Sequence, residues 1–158
     1  MKIRTLKINT LGRLYLHSMP GRYEELEHLW DALKAEEVTQ IVSLASIEEI
    51  RLKSPEYAKA IAEEHIPAER ISFPIPDYGV PSNIDAFYQL AFNVAKRLTL
   101  GENILIHCAG GIGRTGMLAG CVLAALHLPQ DALKQSGSGP ESEEQEEIIQ
   151  HFHSSKTR

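Results

Sequence analysis

Residues 104–116 read Ile104-Leu-Ile-His-Cys108-Ala-Gly-Gly-Ile-Gly-Arg114-Thr-Gly116. The apolar start is typical of a short buried strand, and the glycines after Cys108 permit a tight turn whose peptide N–H groups face inward. An apolar segment of helical length, residues 115–127, follows the turn. A glycine-rich turn between a strand and the N-terminus of a helix is a binding site for anions, phosphate above all.

Two side chains predict a reaction at this anion site. Arg114 carries a planar guanidinium that can hold two phosphate oxygens at once. The same positive field stabilises a thiolate, so we expect Cys108 to be nucleophilic. A thiolate that faces a phosphate-binding turn predicts attack on a bound phosphate ester.

Strands and helices alternate on both sides of this stretch. The alternation predicts an α/β fold with a central, mostly parallel sheet of four or five strands, flanked by helices. Ser82, with Asp85 three residues later, predicts the cap of the helix that Gly101 ends. The length of 158 residues predicts a single domain over residues 1–158. The predicted strands cover residues 2–8, 13–16, 38–44, 70–75 and 103–107, and the predicted helices cover residues 23–33, 54–65, 83–100, 115–127 and 142–153.

The composition argues against several classes of protein. With 16 basic and 21 acidic residues, the formal net charge is −5, which disfavours a general surface for nucleic acid or anionic membranes. Two cysteines, Cys108 and Cys121, cannot form a disulfide framework or a multi-cysteine zinc site. The longest apolar run, residues 117–126, is too short to span a bilayer. We therefore expect a cytoplasmic protein with no metal, no nucleic-acid partner and no stable membrane association.

The order His107-Cys108-x5-Arg114-Thr115 resembles the His-Cys-x5-Arg-Ser/Thr signature of protein tyrosine and dual-specificity phosphatases. The resemblance implies the cysteine-phosphatase fold and a reaction in which Cys108 forms a phosphocysteine without a metal or cofactor. It also implies that the Thr115 hydroxyl hydrogen-bonds the sulfur and helps it to leave, and that His107 orders the loop. By the same resemblance, the phosphoryl oxygens are bound by the amides or side chains of Ala109, Gly110, Gly111, Ile112, Gly113 and Arg114.

Such a reaction also needs an acid that protonates the leaving oxygen. The resemblance implies an aspartate on an upstream loop, and the segment Phe73-Pro-Ile-Pro-Asp77-Tyr-Gly-Val-Pro81 has the family's Pro-x-Asp-x-Gly-x-Pro form. Asp77 is therefore the predicted general acid. Asp85 is the competing candidate, and we interpret it as the capping partner of Ser82.

The end of the chain, residues 137–152, looks like the close of kinase-associated phosphatase and its microbial relatives. The resemblance thus extends from about residue 10 to residue 153, the expected core, and leaves a short tail at residues 154–158. Gln145 could match the family glutamine that helps to place the hydrolytic water, or it could be a solvated helix residue. The family's Arg-x-x-Arg-Pro-Gly is replaced by Lys134-Gln-Ser-Gly-Ser138-Gly, which removes basic charge.

The predicted function is hydrolysis of phosphotyrosine in proteins or peptides by a monomer, with phosphoserine and phosphothreonine as further candidate substrates. One alternative is a catalytically inactive module that binds phosphoproteins on the same fold, and another is an arsenate reductase or sulfurtransferase that uses the same thiolate. Residues 111–116 also fit the Gly-x-Gly-x-x-Gly of dinucleotide-binding folds, with Asp131 downstream. No predicted strand follows the helix, however, and Cys108 would have no role. Cys121 is either a core residue or a redox partner of Cys108.

Overall fold

The central sheet has five strands in the order β1-β2-β5-β3-β4. The computed structural model describes residues 3–156. Strand β1 is antiparallel to β2, and the other pairs are parallel. This architecture confirms the predicted α/β fold with a mostly parallel sheet. The strands are β1 (Arg4–Thr5), β2 (Leu14–His17), β3 (Val38–Ser43), β4 (Glu69–Ser72) and β5 (Asn103–His107).

Seven helices are present among the described residues, and they cover both faces of the sheet. One face packs against α4, α5 and α7, and the other against α1 and α3. None of these helices is long and apolar enough to cross a membrane. They are α1 (Leu26–Ala35), α2 (Ile47–Lys53), α3 (Pro55–Ala62), α4 (Ile84–Thr99), α5 (Gly113–Ala125), α6 (Asp131–Ser136) and α7 (Glu143–Lys156).

Strand β5 lies in the middle of the sheet and leads directly to the predicted phosphate-binding turn. Its last residue, His107, pairs with His17 at the end of β2 and with Ser43 at the end of β3. In parallel sheets of this kind, ligands bind beyond the carboxyl ends of the strands. The loops that follow β2, β3 and β5 therefore meet at one edge, where the site is expected.

Helix α5 is buried on all sides from Gly113 to Ala124, which explains why its apolar residues have no amphipathic period. Gly116 permits this burial because a Cβ atom there would lie 2.3 Å from the backbone nitrogen of Gly139. The start of α5 is thus packed directly against the backbone of the segment between α6 and α7.

Two predictions at the level of single elements are corrected by the structure, and two short helices were not predicted. The cap of α4 is Asn83, whose Oδ1 accepts a hydrogen bond from Ala86 N at 3.0 Å, so the capping interpretation of Ser82 and Asp85 is wrong. Of the predicted strand at residues 2–8, the described part forms a strand only at Arg4–Thr5, and residue 2 lies outside the described residues. Helices α2 and α6 were not predicted, because seven and six residues are too few to show a helical period.

Candidate active site

The signature loop, residues 108–114, has carbonyl groups that accept hydrogen bonds from outside the loop. His107 Nδ1 donates to Cys108 O at 3.0 Å, and Met19 N donates to Ala109 O at 3.1 Å. Gly139 N donates to Ile112 O at 3.1 Å. Because a trans peptide points its C=O and N–H in opposite directions, the N–H groups that follow these carbonyls face the inside of the loop.

The thiol of Cys108 lies inside this loop and is 3% exposed. Gly111 N donates a hydrogen bond to Cys108 Sγ at 3.2 Å. Gly111 has a φ of +76°, and a Cβ atom there would lie 2.6 Å from the carbonyl of His17, so no other residue fits this turn. The loop thus directs a backbone donor at the sulfur.

Arg114 is buried in the first turn of α5 and is held by groups from two other segments. Its two terminal nitrogens donate to the two carboxylate oxygens of Glu49 at 2.8 and 2.9 Å, and Nη1 also donates to Ile75 O at 2.9 Å. The hydrogen bonds from Arg114 lower the pKa of Glu49 to about 2, although burial alone would raise it. Glu49, on α2, is therefore ionised at neutral pH and fixes the plane of the guanidinium.

Asp77 lies at the edge of this cluster, with its carboxylate 3.2 Å from Arg114 Nη2 and 47% exposed. It belongs to the acid loop, residues 73–81, in which Gly79 N donates to Pro76 O at 2.8 Å to close a tight turn. Asp85 lies in the first turn of α4 and is exposed. The structure brings together Asp77 and Arg114, as the sequence predicted, and not Asp85.

Two buried side-chain atoms lack a hydrogen-bond partner among the residues that the structure describes, and they belong to consecutive residues. These atoms are Arg114 Nε and Thr115 Oγ1. Helix α5 also starts without a side-chain cap, so the N–H groups of its first turn have no acceptor within the helix. An unpaired buried donor costs about 1–3 kcal/mol, so in a native protein it indicates a functional role or a bound ion or water.

His107 lies behind the loop and does not face the inside of it. Its side chain is fully buried, and burial lowers its pKa to about 3, so the imidazole is neutral. Because a carbonyl can only accept, Nδ1 carries the proton that binds Cys108 O, and Nε2 accepts from the hydroxyl of Tyr57 at 2.8 Å. Arg70 Nε donates to the same Tyr57 oxygen at 3.2 Å.

Gln145 is fully buried on α7, so its interpretation as a solvated helix residue is wrong. Its Nε2 donates to Gly79 O at 3.0 Å, and its Oε1 accepts from Glu141 N at 2.8 Å. The side chain therefore joins the acid loop to the start of α7. A role in placing water stays a prediction.

Residues 6–157 match the family model described as Swiss Army Knife protein, DSP-PTPase phosphatase domain. The chain belongs to this family. The match covers both the acid loop and the signature loop, so the DSP-PTPase domain includes every site residue that the sequence predicted. It confirms the resemblance on which those predictions were based.

Individual proteins are similar to this chain in sequence over shorter stretches than the family model. A protein of Invertebrate iridescent virus 6 that is named as a tyrosine phosphatase, 197R, is 38% identical over 71 residues, 42% of this chain and 27% of that protein. Cyclin-dependent kinase inhibitor 3 of Rattus norvegicus is 38% identical over 63 residues, 38% of this chain and 29% of that protein. The aligned parts thus span between a quarter and a third of these relatives.

A crystal structure of kinase-associated phosphatase, in which the catalytic-site cysteine is replaced by serine, matches the DSP-PTPase domain with a TM-score of 0.80. The alignment covers 99% of this chain and 96% of that chain at 20% identity. At this identity the likeness shows the shared fold.

The structure bears on two alternative interpretations of the sequence, a dinucleotide-binding fold and a redox role of Cys121. Asp131 begins α6, and no strand follows α5 among the described residues, so the dinucleotide-binding alternative is wrong. Cys121 is fully buried in the core, and burial raises the pKa of its thiol, which favours its interpretation as a core residue.

Sequence reasoning missed several residues that contact the site. Glu49 had a signal, because Ser46 caps α2 and accepts from Glu49 N at 3.2 Å in a Ser-x-x-Glu box. Tyr57 and Arg70 had no signal in the sequence, because the contacts from Tyr57 to His107 and from Arg70 to Tyr57 join residues that are far apart in the chain. Arg4 was also missed, because its contacts join the two ends of the chain.

Proposed function

We propose that this domain hydrolyses phosphate monoesters in proteins, phosphotyrosine above all, through a phosphocysteine intermediate. The observation that carries the proposal is the pair of buried donors without a partner, Arg114 Nε and Thr115 Oγ1, in the first turn of the helix that follows the loop of Cys108. A phosphoryl group bound in the signature loop would give Arg114 Nε its missing acceptor. The Cys108 thiolate would accept a hydrogen bond from Thr115 Oγ1 as the thiolate leaves phosphorus.

In the first step, Cys108 Sγ attacks phosphorus, the P–S bond forms and the P–O bond to the leaving group breaks. Asp77 donates its proton to the leaving oxygen. The half-exposed side chain of Asp77 has room to leave Arg114 and reach that oxygen. Glu49 meanwhile keeps the guanidinium of Arg114 in plane, so that Nε and the loop amides meet the charge on the phosphoryl oxygens.

In the second step, the Asp77 carboxylate accepts a proton from water, and the water oxygen attacks phosphorus. The P–S bond breaks, inorganic phosphate forms and the electron pair returns to Cys108 Sγ. A hydrogen bond from Thr115 Oγ1 stabilises the departing thiolate. Since Arg114 and the amides balance the phosphoryl charge, the scheme uses no metal or cofactor.

Exposed apolar side chains at the rim of the signature loop favour a substrate with an aromatic ring. Ile112 is 41% exposed and Tyr78 is 62% exposed, so apolar surface lies beside the phosphate-binding turn on both the signature loop and the acid loop. These side chains suit phosphotyrosine, with phosphoserine and phosphothreonine as further substrates. We also propose a monomer in the cytoplasm, where a reducing environment keeps Cys108 free.

A second candidate function is a module that binds phosphoproteins without turnover. The contact between Asp77 and Arg114 favours it, because an acid that is paired with the anion-binding arginine does not yet face a leaving group. The two candidates share the phosphate-binding loop and differ in whether the bound ester is cleaved.

Hydrolysis of p-nitrophenyl phosphate and of a phosphotyrosine peptide, between about pH 4 and about pH 8 in EDTA, tests the proposal. We expect no turnover by Cys108→Ser and a loss of about a hundredfold or more in kcat for Asp77→Asn. Cys121→Ala, the matched control in the core, should retain activity. Turnover by Cys108→Ser would overturn the mechanism, and a folded wild type that binds the peptide without cleaving it would establish the binding module.

A further inference from the structure

A second arginine contacts the signature loop, and it comes from the opposite end of the chain. Arg4, in β1, donates from Nη2 to Gly111 O at 2.5 Å. Its Nη1 donates to Ser138 Oγ at 2.7 Å and to Ser136 O at 3.2 Å. Arg4 lies just before the segment that the family model matches, residues 6–157. Its contacts therefore come from a part of the chain that the match does not include.

The carbonyl that Arg4 binds belongs to the peptide between Gly111 and Ile112. Ser138 Oγ donates to the same oxygen at 2.7 Å. In a trans peptide, a carbonyl held from outside directs the N–H of the next residue, Ile112, to the inside of the loop. Gly111 has little intrinsic preference to resist a flip of this peptide, since glycine adopts both signs of φ readily.

The charge of Arg4 is not balanced by a carboxylate. No ion pair of Arg4 occurs among the residues that the structure describes, while its guanidinium is half-buried. Burial lowers the pKa of Arg4, and the nearby Cys108 thiolate raises it in part. Arginine stays protonated under such conditions. The positive charge of Arg4 thus acts on the sulfur in addition to that of Arg114.

We propose that Arg4 is a positioning residue of the active site, which holds the Gly111–Ile112 peptide in the phosphate-binding orientation and stabilises the Cys108 thiolate. This inference rests on the proposed function. It adds a second source of positive charge to a loop whose neighbouring C-terminal segment, residues 134–139, lacks arginine. That segment contributes the two serines that hold Arg4 instead.

Three variants separate the two roles of Arg4. Arg4→Met removes both the charge and the donors, and Arg4→Lys keeps the charge but not the fork of donors. Ser138→Ala leaves Arg4 in place and removes the other donor to Gly111 O, together with one acceptor of Arg4 Nη1. Arg13→Met is the matched control, because Arg13 is an exposed arginine near the same end of the chain whose nearest carboxylate is Glu36 at 3.7 Å. Circular dichroism and thermal melting show whether each variant folds.

The measurements are kcat for p-nitrophenyl phosphate, the pH dependence of Cys108 alkylation by iodoacetamide, and the protection of Cys108 by inorganic phosphate. We expect Arg4→Met to lose about tenfold or more in kcat, to react about tenfold more slowly with iodoacetamide near neutral pH, and to lose phosphate protection. Arg4→Lys and Ser138→Ala should each lower kcat and keep the wild-type pH dependence of alkylation. Arg13→Met should match the wild type in all three.

A folded Arg4→Met with wild-type kcat and alkylation would overturn the inference. A decrease in kcat for Arg13→Met as large as that for Arg4→Met would overturn it too. An Arg4→Lys with the alkylation profile of Arg4→Met would overturn the electrostatic role. Alkylation and phosphate protection do not require turnover. A wild type that fails to hydrolyse phosphate esters would therefore refute the proposed function and still leave Arg4 testable.

Discussion

Glu49 and Arg114 form a two-point ion pair, with oxygen–nitrogen distances of 2.8 and 2.9 Å, between helix α2 and the first turn of α5. The pair uses the terminal nitrogens of the arginine and leaves Nε unpaired. Glu49 therefore determines which edge of the guanidinium is available to a phosphoryl group.

Glu49→Gln should lower kcat/KM by about tenfold to a hundredfold, because a neutral amide holds the guanidinium less firmly in its plane. Glu48→Gln is the control, since Glu48 is exposed on the same turn of α2. Steady-state kinetics with p-nitrophenyl phosphate measure the effect. Equal kinetics for the two variants would contradict a role of Glu49 in orienting Arg114.

The same ion pair predicts how stability depends on pH. The pKa of Glu49 is about 2 in the folded protein, below its ordinary value of 4.5, so folding favours the ionised carboxylate. Its contribution to the free energy of unfolding is complete above pH 4.5 and is lost as the pH falls towards 2. The free energy of unfolding, measured with urea at several pH values in this range, should depend less on pH for Glu49→Gln than for the wild type. Parallel plots of this free energy against pH for the two proteins would disprove this account.

The Tyr57 hydroxyl connects Arg70 to His107, which in turn holds the Cys108 carbonyl. Tyr57→Phe should cost about 1–2 kcal/mol of stability and also lower kcat, since the signature loop loses its support. Tyr88→Phe is the matched control, because the Tyr88 hydroxyl is a buried donor to Ile148 O at 2.7 Å, away from the signature loop. We expect similar losses of stability in urea but a loss of kcat only for Tyr57→Phe.

Thr115→Val removes the unpaired hydroxyl while it preserves the shape of the side chain. The folded protein should be as stable as the wild type or more so, because the buried oxygen has no partner to lose. Breakdown of the phosphocysteine should become slow. Acid quenching and mass spectrometry should then detect phosphorylated protein that the wild type does not accumulate, and its absence under turnover would argue against assistance by Thr115.

Gln145→Ala should release the acid loop from α7, because it removes the hydrogen bond from Gln145 Nε2 to Gly79 O. Substrates with poor leaving groups depend most on protonation by Asp77, so their rates should fall more than that of p-nitrophenyl phosphate. Gln150→Ala, at an exposed position of the same helix, provides the control. An equal fall for all leaving groups would point to general destabilisation.

The α/β fold and its mostly parallel sheet could be predicted from the alternation of strands and helices along the sequence. Cys108, Arg114 and Thr115 could be placed together because they lie in one strand–turn–helix segment. Asp77 follows from the resemblance of residues 73–81 to the loop of the phosphatase family, and its carboxylate lies 3.2 Å from Arg114 Nη2. The supporting residues could not be predicted. The Ser-x-x-Glu box marks the start of the helix that carries Glu49 but does not reveal its contact with Arg114, and Arg4 and Tyr57 contact residues about 107 and 50 positions away.

The central position of β5 has a consequence for the motions of the site. Its amides are hydrogen-bonded between two neighbouring strands, so their exchange with solvent deuterium requires opening of the whole sheet. The acid loop has a half-exposed aspartate and a single turn, and it can open locally. We therefore expect slow exchange in the strand that leads to Cys108, the proposed nucleophile, and faster exchange in the loop that carries Asp77, the proposed proton donor.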